Sequence, residues 1–168
     1  MQKNLRFDLR QSVFTPLRVR WGECDPAGIA YQVNYFDWFV EGRTDYLRER
    51  VDEYRRLFEG TSIVLVATEA YCTYQRTLIP GDQIAVCTVV SSFSRTKLQF
   101  HYAIVAASAV AELQQRVSPV VDGDFIYARG YTTHPWMDMQ QNRAVDLRKH
   151  HPQLWERLSA AIQVTPVW

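Results

Sequence analysis

The sequence predicts an α+β fold, a strongly curved antiparallel sheet wrapped around one long central helix, with an additional helix near the C-terminus. Three observations carry this reading. A proline-free stretch from Tyr31 to Arg50 repeats its aromatic residues at helical spacing. Residues 98–104 alternate in polarity with a period of two, and the elements run in the order strand, long helix, then consecutive strands.

Taken in order, residues Thr15 to Trp21 (TPLRVRW) follow a polar leader and read as a first strand. The block GECDPAG cannot continue it. Pro26 lacks a donor, and Asp25-Pro26-Ala27-Gly28 carries the preferences of a type I turn: Asp first, Pro second, Gly fourth. The long helix, Tyr31 to Arg50, places Tyr35, Trp38, Phe39, Gly42 and Tyr46 on one face, widened by Val33, Phe36 and Val40. Asp37, Glu41, Thr44 and Arg48 form a narrow polar stripe, so the helix is expected to be wrapped on most sides. A second helical stretch, Val51 to Phe58, ends at Gly60.

Four strand candidates follow: Ser62 to Arg76, Gln83 to Phe93, Lys97 to Val105 and Phe125 to His134. In the third, Leu98, Phe100, Tyr102 and Ile104 alternate with Gln99, His101 and Ala103, as in a half-buried antiparallel strand. Pro80-Gly81-Asp82 and Ser94-Arg95-Thr96 supply turns. Residues 106–123 read as a short helix or an irregular excursion. Pro152 suits the first turn of a last helix with Leu154, Trp155, Leu158, Ala161 and Ile162 on one face, packed on the outside of the domain. No repeat or linker divides the chain, so one domain over residues 1–168, with its core at about 15–160, is expected.

Composition narrows the function classes. A formal net charge of +1 offers no global field for nucleic acid or an anionic membrane, so an anionic ligand needs local cations. No apolar run approaches the roughly 18 residues of a membrane span, and the N-terminal residues MQKNLRFDLRQ lack the apolar stretch of a secretory signal. Cys24, Cys72 and Cys87 have no paired spacing, which fits a reducing compartment and argues against disulfide or zinc. A cytoplasmic protein without a metal site is the expectation.

Read locally, Asp25 is a turn former, Cys24 a packing residue, Glu41 a solvated helical carboxylate, and His101 and His134 strand residues outside any catalytic set. The register of the whole segment changes the reading of Asp25. RVRWGECDPAGIAYQVNYFDWFVEGRTDYL resembles the signature of the 4-hydroxybenzoyl-CoA thioesterase family of hotdog-fold proteins, with Asp25, Gly28, Tyr31, Asn34 and Tyr35 at the matching positions. Glu41 and Arg43 resemble the end of that helix motif, Pro80-Gly81-Asp82 the following turn, and Tyr131-Thr132-Thr133-His134 the last strand.

The resemblance implies a hotdog fold and an acyl-CoA thioesterase acting on an aromatic or a short- or medium-chain acyl group. Coenzyme A is then part of the substrate and no cofactor is needed. It also implies a homodimer or homotetramer with active sites at the dimer interface. Asp25 would serve as nucleophile or general base, the backbone N–H of Gln32 would polarise the thioester, and Tyr31 would contact substrate. Arg95, Lys97 and Arg129 would meet the phosphates of CoA, the hairpin region lying near the nucleotide end. Physical chemistry agrees on the first pair: orphan N–H groups at a helix start stabilise a developing oxyanion and favour a carboxylate anion nearby. Gln32 stands where one branch of the family carries His, which removes imidazole from the helix entrance. Hydrolysis of an acyl group from a carrier protein and non-catalytic acyl-CoA binding are the competing functions. No G-x-S-x-G elbow supports an α/β-hydrolase.

Overall fold

The computed structural model describes residues 9–115 and 125–165. Strand β1 (Val13–Arg18) leads through a 3₁₀ turn at Trp21–Glu23 and a tight loop into helix α1 (Asn34–Arg50). A short helix α2 (Tyr54–Leu57) precedes β2 (Ile63–Leu65) and β3 (Glu69–Tyr74). Strands β4 (Gln83–Phe93) and β5 (Lys97–Ala106) form a hairpin, followed by helix α3 (Val110–Gln115). Then come β6 (Ile126–Asp138), β7 (Arg143–Ala144), α4 (Leu147–His150) and α5 (Pro152–Ala161).

The sheet is antiparallel in the order β1-β4-β5-β6-β2, and β3 and β7 also pair with β6. Its concave face closes on α1. Tyr35, Trp38, Phe39, Tyr46 and Leu47 pack there against Val86, Val90, Phe100, Tyr102 and Ile104. Phe39 and Tyr102 stack with centroids 4.4 Å apart and planes 8° from parallel. Gly42 allows the closest approach, since a Cβ there would lie 2.6 Å from Thr88 Oγ1 and 2.7 Å from Val86 Cγ1. Gly130 on β6 does the same beneath Phe39, and a Cβ would also strike the Tyr71 carbonyl. The helix therefore rests on the sheet at two glycines.

Several expected boundaries move. The helix begins at Asn34 rather than Tyr31, because the Ala30 and Tyr31 amides bond to the Leu78 and Glu23 carbonyls at 2.8 Å and hold that stretch extended. The second helix shrinks to four residues; Val51 is extended and Glu53 left-handed at φ 53°. The single strand expected from Ser62 to Arg76 is two, because its halves pair with different parts of the long β6: Ile63–Leu65 with 136–138, Glu69–Tyr74 with 128–133. Strand β5 is buried on both faces rather than one. Ala85, Cys87, Val89, Ala103 and Val105 form a second core on the convex side with Ala109 and Leu113, so the residues after Ala106 cover the sheet as a 3₁₀ turn and helix α3. Residues 116–123 of that excursion lie outside the described residues. Val33 and Val40 are exposed, so the open side of α1 is wider than its polar stripe.

The C-terminal helix packs as expected on its Leu154 and Leu158 face, and Trp155 stacks on Phe93 at 4.9 Å. The preceding segment, which sequence reasoning left unassigned, ties down the β4–β5 hairpin: the Leu147 amide donates to the Arg95 carbonyl at 2.7 Å. Inside the concave core, Arg43 donates to the His134 ring, 2.8 Å from Nε2, and Thr132 lies 2.8 Å from that nitrogen and 2.7 Å from the Tyr102 hydroxyl. Burial, and secondarily the Arg43 charge, push His134 down to about 4. Burial alone lowers His101, on the convex face, to about 4.

Candidate active site

The connection between β1 and α1 carries a tight turn at Asp25–Gly28, built on its turn chemistry. The Gly28 amide donates to the Asp25 carbonyl at 2.9 Å, Gly28 takes φ 78°, and the Asp25 amide closes on the Ile29 carbonyl at 2.9 Å. The Asp25 side chain completes the turn by accepting from the Ala27 amide at Oδ1, 2.8 Å away. Among the described residues Oδ2 has no hydrogen-bond partner, so one oxygen is fixed and the other is available.

Glu23 anchors this loop to the helix. Its carboxylate accepts from the Arg20 amide at 2.7 Å and from Trp38 Nε1 at 3.1 Å. Its carbonyl accepts from the Tyr31 amide at 2.8 Å and from Asn34 Nδ2 at 2.6 Å. Gln32 then sits in the turn just before α1. Its N–H has no acceptor among the described residues, and its carbonyl receives the Tyr74 hydroxyl at 3.1 Å.

Asp25, Tyr31 and Gln32 line one cleft of about 390 Å³, together with Ile29, Ala30, Tyr35 and the segment Tyr74–Thr77. Tyr35 and Tyr74 meet edge to face, centroids 4.9 Å apart, and burial raises both hydroxyls to about 12, keeping them protonated donors. An unpaired amide and a carboxylate lining one cleft can polarise a carbonyl and deliver or activate a nucleophile. Sequence reasoning finds Tyr35 on the packed face of the helix and in the signature segment, and does not find Tyr74, Gln75, Arg76 and Thr77. Nothing local in sequence ties position 74 to position 32; the pairing of β3 with β6 makes that contact.

Arg95, Lys97 and Arg129, expected to meet phosphates, do not line this cleft. Arg95 and Lys97 flank the β4–β5 hairpin, where Lys97 pairs with Pro135, about 23 Å along β6 from Ala128 beside Tyr74. Arg95 forms an ion pair with Asp146 at 3.4 Å. Arg129 is buried on the convex face of β6, opposite Thr73 of β3. Cys24 donates to the Arg20 carbonyl at 3.6 Å, and burial, with the Glu23 and Asp25 charges, raises its thiol, which is the opposite of an activated nucleophile. Among the described residues no cluster of metal-ligating side chains occurs, and no helix is long and apolar enough to cross a membrane.

Comparison with known proteins agrees with this architecture. A protein of Aquifex aeolicus (strain VF5) named "Putative esterase" is 31% identical over 111 residues, covering 65% of this chain and 85% of the relative. The fold is similar to that of a DHNA-CoA thioesterase from Staphylococcus aureus, with a TM-score of 0.72 at 21% identity over 89% of each chain. It is also similar to a 1,4-dihydroxy-2-naphthoyl-CoA thioesterase from Synechocystis, with a TM-score of 0.65 at 17% identity over 86% of this chain and 93% of that one. Residues 19–159 match the thioesterase-like superfamily, so the chain belongs to that family and is a hotdog-fold thioester hydrolase.

Proposed function

We propose that the protein hydrolyses an acyl-CoA to the free acid and CoA, with Asp25 as the reacting carboxylate and the Gln32 backbone N–H as oxyanion donor. The observation that carries this reading is that a carboxylate with a free oxygen and an amide without an acceptor line the same cleft. Asp25 either attacks the thioester carbon, forming a mixed anhydride that water cleaves, or takes a proton from the attacking water. In both routes the C–S bond breaks, the acyl group gains a water oxygen, and the thiolate of CoA takes up a proton.

An aromatic acyl group fits the tyrosines of the cleft, Tyr31, Tyr35 and Tyr74, and the 1,4-dihydroxy-2-naphthoyl-CoA thioesterase of similar fold supports it. The outer edge of β3 carries no strand among the described residues and exposes Tyr71 and Tyr74. An uncovered edge beside the cleft favours a homodimer in which a second copy completes the site.

The test is release of CoA from aromatic, short, medium and long acyl-CoAs by wild type and Asp25→Asn. A loss of about 1,000-fold or more in kcat is expected for the variant, which keeps the shape and removes the charge. Equal rates would overturn the assignment. Turnover of an acyl carrier protein but of no acyl-CoA would move the substrate to the carrier-protein class.

A further inference from the structure

We infer that the nucleotide end of CoA, its adenosine 3′,5′-bisphosphate, docks on a shelf formed by Arg18, Arg20 and Trp21 beside Pro80 and Gly81. This rests on the reading of an acyl-CoA as substrate and assigns where its anionic half binds.

Trp21 is 83% exposed and stacks on no other ring among the described residues, an unusual placement for the largest aromatic side chain. It opens a 3₁₀ turn over Trp21–Glu23 and lines the surface cleft described next. Arg18 and Arg20 line the same surface cleft of about 370 Å³ with Val19, Pro80 and Gly81. Both are exposed, and neither guanidinium has an ion-pair partner among the described residues. The nearby acids are already engaged: Glu23 by the Arg20 amide and Trp38, Asp82 by the Ile79 amide at 2.9 Å. Two forked cations and a bare indole form a stacking platform with phosphate contacts, the chemistry that recognises a phosphorylated nucleoside.

The shelf and the proposed reaction cleft are bordered by neighbouring stretches of chain. One strap, residues 77–81, borders both: Thr77 lines the first cleft, Pro80 and Gly81 the second. The strap is pinned at each end, by the Ala30 amide on the Leu78 carbonyl at 2.8 Å and the Gly81 amide on the Val19 carbonyl at 2.8 Å. Trp21 lies four residues from Asp25, at most about 14 Å of extended chain. The flexible arm of CoA can bridge that span, leaving the thioester at Asp25 and Gln32. By contrast, Arg95 is paired with Asp146 and its hairpin is capped by the segment before α5.

The test is calorimetric binding of adenosine 3′,5′-bisphosphate to the full-length protein. Trp21→Ala and the double variant Arg18→Gln/Arg20→Gln should each bind about tenfold or more weakly than wild type, and Arg95→Gln/Lys97→Gln as wild type. These side chains are at the surface, and an unchanged Tm verifies folding. In kinetics, the shelf variants should raise KM for an acyl-CoA about tenfold and leave turnover of the matching N-acetylcysteamine thioester unchanged. Failure of wild type to bind the bisphosphate, loss of binding only in the hairpin variant, or equal impairment on both thioesters would overturn the assignment. Asp25→Asn should bind the bisphosphate like wild type, so a failed hydrolysis assay sinks the catalytic reading and leaves this one standing.

Discussion

The Tyr74 hydroxyl donates to the Gln32 carbonyl at 3.1 Å, joining the edge strand β3 to the turn that begins α1. Tyr74→Phe keeps the ring against Tyr35 and removes this tether. On the best acyl-CoA, kcat should fall about five- to tenfold with KM within about twofold, as expected for one hydrogen bond that holds an oxyanion donor in place. Steady-state CoA release measures it, and an unchanged kcat would mean the tether does not position the amide.

Glu23 accepts four hydrogen bonds, two of them at its carboxylate, and those from Asn34 and Trp38 tie the loop to the helix. Glu23→Ala leaves the buried Trp38 indole N–H without an acceptor, a cost of about 1–3 kcal/mol. It also frees the loop that carries Asp25. Chemical denaturation should show the stability loss. A fall of about tenfold in kcat/KM is expected with it, and Glu23→Gln, which keeps an acceptor for the indole, should recover part of both.

Gly42→Ala would place a methyl group within 2.7 Å of Val86 and closer still to Thr88. Alanine favours helix, yet the clash should dominate, destabilising by about 1–3 kcal/mol. A lowered Tm checks the sign; a raised Tm would show that α1 can lift from β4 without cost.

Burial lowers His134 and His101 from 6.5 to about 4, with the Arg43 charge adding to the effect on His134. The folded state therefore binds fewer protons than the unfolded chain in this range. Stability from these groups is complete above about pH 6.5 and is lost as pH falls toward 4, with a slope of at most about 1.4 kcal/mol per pH unit for each. Urea denaturation at half-unit intervals should show this slope, and His134→Gln should make it shallower. An identical slope in the variant would remove His134 from the account.

The fold was legible where local chemistry decides it. The bounds of β4 coincide with the run Gln83 to Phe93, and the Asp25 turn follows from Asp, Pro and Gly in order. Boundaries failed where a distant partner decides: Glu23 and Leu78 hold Tyr31 and Ala30 out of the helix, and β6 divides the stretch from Ser62 to Arg76 between two pairings. Of the candidate site, Asp25, Tyr31 and Gln32 were readable because they lie within eight consecutive positions. Tyr74 ends another strand and Arg76 follows it, and the partnership of Arg95 with Asp146 spans 51 positions, so neither leaves a trace in spacing.

Gly42 and Gly130 seat the helix against the sheet with no slack, and this fixes the distance between the two. Sliding α1 along its axis would drive Phe39 off Gly130 and side chains into the space kept clear at Gly42. The helix thus works as a rigid ruler that sets where its leading turn stands relative to β3. Adaptation to a bulkier or slimmer acyl group would then fall to Tyr31, Tyr35 and Tyr74 at the rim, while the Gln32 amide keeps its station.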